Sequence, residues 1–232
     1  MINFAKIWDI LITKFPAFME GVEITLQLAF FTVLFGSLLG LVVAVCRRTR
    51  LLPLRWLMNA YVAFIRGTPL LVQVLLVVYG LPQTIEYILQ RQVDLSRMTL
   101  CIIALVINSG AYMAELIRAG LQSVEKGQVE AAESLGMSSG QTMLYIILPQ
   151  AVKVTLPAMG NEFVAIIKES SILYAVGVYE LTYQAYKLAS VNYYYIETMI
   201  VAALIYFVLT YVATKLLGLL ERRMRRADTS AA

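Results

Sequence analysis

An apolar run without a single charged residue extends from Leu26 to Val45. It is about the length that a helix needs to cross a hydrocarbon core of ~30 Å. The run stops at three arginines, Arg47, Arg48 and Arg50, and the positive-inside rule places that end in the cytoplasm. The chain is therefore predicted to be a membrane protein whose N-terminus lies outside.

The composition agrees with a membrane protein and excludes several other classes. Hydrophobic residues make up 60% of the 232 residues and charged residues 15%, and the mean hydropathy is +0.74. The net charge of +4 does not indicate nucleic-acid binding, because the basic residues flank apolar runs in short groups. The chain has no histidine, so a histidine-based metal site or catalytic dyad is excluded, and neither catalytic nor metal-ligating residues are predicted. The two cysteines lie in or beside apolar segments and give no disulfide framework, and no signal peptide is evident.

Four further apolar segments complete an all-α, polytopic fold with five transmembrane helices and a cytoplasmic C-terminus. We expect the second span from about Trp56 to Leu81, the third from Met98 to Ile117 and the fifth from Ile196 to Leu217. The fourth follows Pro149, and its apolar pattern is interrupted by Pro157, Gly160, Asn161, Glu162 and Lys168. Residues 83–97 are expected outside, and residues 168–195 are expected either outside or re-entrant in the membrane. The basic groups that mark the cytoplasmic ends of later spans are Arg118, Lys126, Arg222, Arg223, Arg225 and Arg226.

The N-terminal segment Phe4 to Phe18 is amphipathic. Its predicted apolar stripe consists of Phe4, Ile7, Trp8, Leu11, Phe15 and Phe18. A helix lying on the membrane surface over residues 1–19 and a disordered terminus both fit this pattern. We expect residues 1–232 to form one transmembrane domain, with a five-helix core over 20–220 and a loop over 122–142.

A short polar segment with strong helix-stop and helix-start signals lies in that loop. Val129, Ala132 and Leu135 recur at helical spacing, which predicts a helix with these residues on one side. Gly136 suits the left-handed position just past its end. Ser138 and Gln141 match a capping box that begins the next helix. A short capped helix on a polar loop is what a docking element for a partner protein would look like.

The same segment carries a family pattern: Glu-Ala-Ala, three residues, Gly, nine residues, Ile, one residue, Leu-Pro, from Glu130 to Pro149. It resembles the cytoplasmic loop of permease subunits of ATP-binding-cassette importers. The segments FIRGTPLLVQ (64–73), SGAYMAELIRAG (109–120), KGQVEAAESLG (126–136) and GNEFVAIIKESS (160–171) look like the polar amino acid branch of that family.

The resemblance implies a type I importer permease fold in a bacterial inner membrane. It also implies a second permease subunit, identical or different, two ATPase subunits that bind ATP and Mg, and an extracytoplasmic solute-binding protein. The coupling helix that seats in the ATPase would contain Glu130, Ala131, Ala132, Ser134, Leu135 and Gly136.

Polar residues inside the spans are candidates for a substrate site. Thr68 as helix cap and Pro69 at the first helical position predict a broken second span, whose backbone donors at Gly67 to Leu70 would face an anion such as a carboxylate. A Pro kink satisfied by neighbouring helices is the alternative. The expected substrate-site residues are Gly67, Thr68, Leu70, Asn108, Tyr112, Glu115, Asn161 and Glu162.

Glu115 should face the protein interior, because a carboxylate at this depth is costly unless it is paired. Its expected partner is Arg66 or Arg118, and a structural ion pair is the expected role. Asn161 and Glu162 lie roughly 18 Å along a helix from Pro149 at 1.5 Å per residue. That depth is near mid-bilayer, where a polar pair marks a pathway.

The predicted function is therefore the membrane subunit of an ATP-driven amino acid importer. The chain lacks the phosphate-binding pattern G-x-x-x-x-G-K-[ST], so ATP must be hydrolysed by another subunit. The substrate is a polar or basic amino acid: arginine, lysine, histidine or glutamine. One alternative is an ion-coupled secondary carrier that uses Glu115 and Glu162, and another is a structural subunit of a membrane assembly.

Overall fold

The computed structural model describes residues 2–229, with side chains described for residues 2–222, so Arg223, Arg225 and Arg226 lie outside the described side chains. Within residues 2–229 the chain forms eleven α-helices and no strand. They are α1 (Phe4–Thr13), α2 (Phe15–Cys46), α3 (Leu52–Gly67), α4 (Leu70–Leu75), α5 (Leu81–Leu89), α6 (Arg97–Gln122), α7 (Lys126–Ser134), α8 (Ser139–Thr142), α9 (Leu148–Glu169), α10 (Leu181–Asn192) and α11 (Tyr195–Thr229).

Five continuous helical stretches of the described chain are long and apolar enough to cross a membrane, as the sequence predicts. They are Phe15–Cys46, Leu70–Leu89, Arg97–Gln122, Ser139–Val176 and Tyr195–Arg222. Several boundaries differ from the prediction: the first span begins at Phe15 rather than Leu26, and the fourth begins at Ser139 rather than after Pro149. The second span begins after the break at Thr68 rather than at Trp56, and it continues as α5 through residues 83–89, which were expected in an external loop.

Prolines inside the second and fourth spans do not end their helices. Two π-helical segments, Leu76–Gly80 and Met143–Ile147, end just before Pro82 and Pro149. A proline removes one backbone donor and its ring crowds the preceding turn, and a π-helical turn gives that ring room without ending the helix. Pro157 and Gly160 lie inside the continuous helix α9. The residues that interrupt the apolar pattern of the fourth span therefore do not break its helix.

Small residues let α2 and α6 pack closely at the centre of the bundle. A Cβ atom built on Gly36 would lie 2.8 Å from Ser109 Oγ, and one on Gly110 would lie 2.7 Å from a methyl group of Leu39. Ser109 and Gly110 thus permit the close approach that the sequence predicts, because side-chain bulk at these positions would separate the two helices.

The N-terminal helix α1 packs on the bundle with a different face from the predicted one. Ile10 is buried and Ile7 and Leu11 pack beside it against α2 and α11, while Phe4 and Trp8 are exposed. The backbone N–H of Asn3 also donates to Glu197 at 3.0 Å. The predicted stripe is therefore wrong as a single face: it is divided between the protein core and the surroundings. α1 ends at Thr13, so residues 15–19 belong to the first span.

At the end of the bundle opposite α7, the fully buried Glu180 caps α10. Its carboxylate accepts hydrogen bonds from the backbone of Thr182 (2.8 Å) and Tyr183 (2.7 Å) and from the Tyr206 hydroxyl (2.7 Å). Burial raises the pKa of the Glu180 carboxyl, and these hydrogen bonds oppose part of that rise. The cap fixes α10 against the first and fifth spans.

Candidate functional site

The helix α7 ends in the tight turn that its sequence predicts. Gly136 has φ of +84°, and its N–H donates to Glu133 O at 3.0 Å while Met137 N–H donates to Ala132 O at 3.1 Å. These two bonds form a complete Schellman motif. The capping box follows at once, because Ser138 and Gln141 exchange side-chain and backbone hydrogen bonds. Two adjoining caps hold α7 at a fixed angle to the fourth span.

One face of α7 packs on its own chain and the rest is exposed. Ala132 is buried and Val129 is half-buried, whereas Leu135 is 85% exposed. Leu135, predicted on the same side of the helix as Val129 and Ala132, is therefore not covered by its own chain as they are. The predicted coupling residues that remain accessible are Glu130, Ala131, Ser134, Leu135 and Gly136. Together they form a projecting surface with one large apolar side chain.

The break in the second span occurs at the predicted place but is built differently. Thr68 does not cap the following helix: its hydroxyl donates back to Phe64 O at 2.9 Å and its backbone ends α3. Pro69 precedes α4, which begins at Leu70. A Cβ atom built on Gly67 would meet nothing within 4 Å, so the break has open space beside it.

Gln73 connects this break to α6, and the sequence analysis missed it. Its buried amide nitrogen lies 2.7 Å from Ile65 O and 2.8 Å from the Thr68 hydroxyl. Its amide oxygen accepts from Asn108 at 2.8 Å. The single glutamine therefore satisfies carbonyls freed by the break and fixes Asn108 as well. A Gln one turn after a helix break was a usable signal in the sequence.

Glu115 forms an ion cluster with three arginines at the end of the bundle that carries α7. Its oxygens lie 2.5 Å from Arg47, 2.6 Å from Arg118 and 3.7 Å from Arg66. The structure confirms pairing with Arg66 and Arg118 and adds Arg47, which the sequence analysis missed. The cluster joins α2, α3 and α6. Glu115 is therefore occupied by protein cations, although it was also expected in the substrate site.

Tyr112 lies one turn before Glu115 and is more exposed. The Arg66 guanidinium is 5.6 Å from the centre of its ring, the geometry of a cation–π contact. The side chain is 38% exposed. Asn108, one turn before Tyr112 on α6, is buried. Asn108, Tyr112 and Glu115 are expected on one face of α6. They contact, respectively, Gln73, Arg66 and the arginines of the ion cluster.

Glu162 lies on α9, half-buried, with the Ser109 hydroxyl and the Glu169 carboxylate as its neighbours. The Ser109 hydroxyl is buried and makes no hydrogen bond of ordinary geometry within the described residues. No cation pairs with Glu162 among the side chains that the structure describes. Asn161 is exposed, and Leu70 packs on the core beside α6. The polar sites on α6 and α9 therefore meet at Ser109.

The chain is similar to several known membrane proteins. Residues 36–226 match the family described as the binding-protein-dependent transport system inner membrane component. The chain is 36% identical to the arginine transport system permease protein ArtQ of Bacillus subtilis, over 94% of this chain and 96% of that one. It is 42% identical to the probable glutamine ABC transporter permease protein GlnM of the same organism, over 94% and 98% of the two chains.

A solved structure, described as an amino acid ABC transporter with histidines, has the same fold. Its TM-score is 0.87 at 43% identity, with 96% of this chain and 99% of that chain covered. The chain is therefore a transport subunit rather than an enzyme, and the ATPase is a separate subunit. It belongs to the family of inner membrane components of binding-protein-dependent transport systems, as an amino acid ABC transporter permease.

Proposed function

We propose that this chain forms the translocation path of an ATP-driven importer for a polar or basic amino acid, with α7 as the helix that docks into the ATPase. The observation that carries the proposal is α7 itself: a short helix fixed by two caps, with Leu135 85% exposed at its end. An exposed leucine on a rigid projecting helix suits a pocket in another protein.

In this proposal, ATP binding closes the ATPase subunits and moves α7. The capping box between Ser138 and Gln141 transmits that movement to the fourth span, because α8 continues through the π-helical segment into α9. Two copies of the bundle, or this bundle and a related one, then change from outward-facing to inward-facing. The N-terminus lies outside and the C-terminus in the cytoplasm, and an extracytoplasmic binding protein delivers the substrate.

The amino acid's carboxylate would occupy the open space beside Gly67, and its amino group would contact the carboxylate of Glu162. Glu162 supports this proposal because it has no cationic partner of its own among the described side chains. The relatives' names mention arginine and glutamine, which is consistent with either a basic or a neutral substrate. The ion-coupled alternative falls with the family assignment.

The test of coupling is Gly136→Ala in vesicles containing the whole transporter. Alanine is strained at φ of +84°, so the substitution distorts the Schellman turn while adding only one methyl group. We expect uptake per ATP hydrolysed to fall about tenfold. Gly127→Ala on the same helix is the matched control, because a Cβ there meets nothing within 4 Å and the backbone is helical.

Crosslinking identifies the partner independently. A crosslinker belongs at Ala131, which is exposed, and not at Ala132, which is buried in its own chain. Capture of the ATPase from Ala131, together with uncoupling by Gly136→Ala, is the expected outcome. Unchanged coupling in Gly136→Ala would disprove the role of α7.

A further inference from the structure

A basic cavity lies at the end of the bundle near α7 and has no part in the proposed transport path. Its volume is about 430 Å³, and Arg47, Arg48 and Arg118 line it. Arg47 and Arg118 share Glu115 with Arg66, so a single carboxylate faces three guanidinium groups. Arg48 forms no ion pair among the side chains that the structure describes. The cavity therefore carries an excess of positive charge.

An apolar groove of about 270 Å³ adjoins this cavity. Leu121 lines both, and the groove continues along α2 and α9 past Leu41 and Val152. Leu41 is 51% exposed and Val152 is 44% exposed, so this groove is open along the side of the bundle. Both α2 and α9 belong to membrane spans. The basic cavity at the membrane surface thus continues into the apolar groove at membrane depth.

We propose that this cavity and groove bind one anionic phospholipid, with the phosphate among the arginines and an acyl chain along the groove. Cations at the end of an apolar groove match a molecule that is anionic at one end and hydrocarbon at the other. A free phosphate would use the cavity alone and leave the groove unoccupied. The assignment of this lipid to the cytoplasmic leaflet rests on the orientation of the chain given under the proposed function.

The test uses the full-length chain with its co-expressed partner subunits, in nanodiscs or detergent with added lipid. Native mass spectrometry measures the retention of phosphatidylglycerol against phosphatidylcholine. We expect Arg48→Gln to weaken phosphatidylglycerol retention about fivefold, the contribution of one basic residue at an anionic surface. Arg55→Gln removes the same charge from an exposed position on α3 that does not line the cavity, and should change nothing.

A second pair of variants tests the groove. Val152→Trp fills it and should reduce retention of the lipid without reducing binding of inorganic phosphate. Val154→Trp, on the same helix but not lining the groove, is the control. Thermal unfolding of each variant shows that it is folded.

Three outcomes would overturn the proposal. Equal loss in both members of a pair would mean that no specific site exists. Competition by inorganic phosphate with no effect of Val152→Trp would indicate a free anion. Loss of the ATPase subunit from Arg48→Gln with lipid retention unchanged would identify the cavity as a protein contact. The α7 variants that test coupling do not touch this cavity, so the two proposals fail independently.

Discussion

Glu115 and Glu162 are both carboxylates on membrane-spanning helices, but Glu115 is held by three arginines while Glu162 faces a serine and a second carboxylate. The Glu115 side chain is 15% exposed and its closest cation is 2.5 Å away. Glu162 is half-buried without a cation among the described side chains. Both sites appear in the sequence as an acid within an apolar segment.

The difference shows that an acid in a membrane helix is not by itself a sign of a transport site. A carboxylate at this depth requires a counter-charge, and what matters is whether the protein supplies it. At Glu115 the protein does so, and the cluster ties three helices together. At Glu162 a cation must come from elsewhere, and a substrate ammonium group is one source.

The largest expected effect comes from removing the charge of Glu115. Glu115→Gln leaves three arginines without their common partner, and we expect a loss of about 2 kcal/mol in stability. That figure lies between the values for exposed and buried ion pairs, because the arginines are partly exposed. The midpoint of thermal unfolding in detergent measures it. Glu23→Gln, at an exposed acid on α2, is the control. A midpoint equal to that control would mean that the cluster is not structural.

Glu162→Gln should reduce transport without reducing stability, unlike Glu115→Gln. We expect uptake to fall about tenfold, equivalent to ~1.4 kcal/mol, with the unfolding midpoint unchanged. Glu23→Gln removes an exposed carboxylate on the first span, whose side chain pairs with Gln27 on the same helix, and should leave uptake intact. Uptake in vesicles at limiting substrate measures both. Retained uptake in Glu162→Gln would remove Glu162 from the substrate site, and a large fall in its unfolding midpoint would make it a structural residue like Glu115.

Local signals in the sequence predicted the elements that depend on neighbouring residues. The turn at Gly136 and the capping box at Ser138 follow from backbone requirements within five residues, and the structure has both. The five spans follow from length and composition, and the structure has these too. The pairing of Glu115 with Arg118 is also local, since the two residues are three apart on one helix.

What the sequence could not supply depends on distant contacts. Arg47 and Glu115 are 68 residues apart, and no local pattern brings them together. Gln73 bridges a break to Asn108 on another helix. Pro157 lies inside a continuous helix and Pro149 follows a π-helical turn within the same span, although a proline often ends a helix. The exposure of Leu135 also depends on which face of α7 its own chain covers.

The smallest expected effects on stability come from removing single arginines of the ion cluster. Arg47 is 19% exposed and 2.5 Å from Glu115, whereas Arg66 is 46% exposed and 3.7 Å away. A close, shielded pair contributes more than a distant, solvated one, so Arg47→Gln should cost about 1 kcal/mol and Arg66→Gln less than about 0.5 kcal/mol. Arg47 also donates to Asn59 at 2.7 Å, a bond that glutamine would not reproduce from the same position. The unfolding midpoints of the two variants, measured in the same detergent, give the order. If Arg66→Gln proved the more damaging, the cation–π contact with Tyr112 would matter more than the ion pair, and the cluster would centre on α3 rather than on α2.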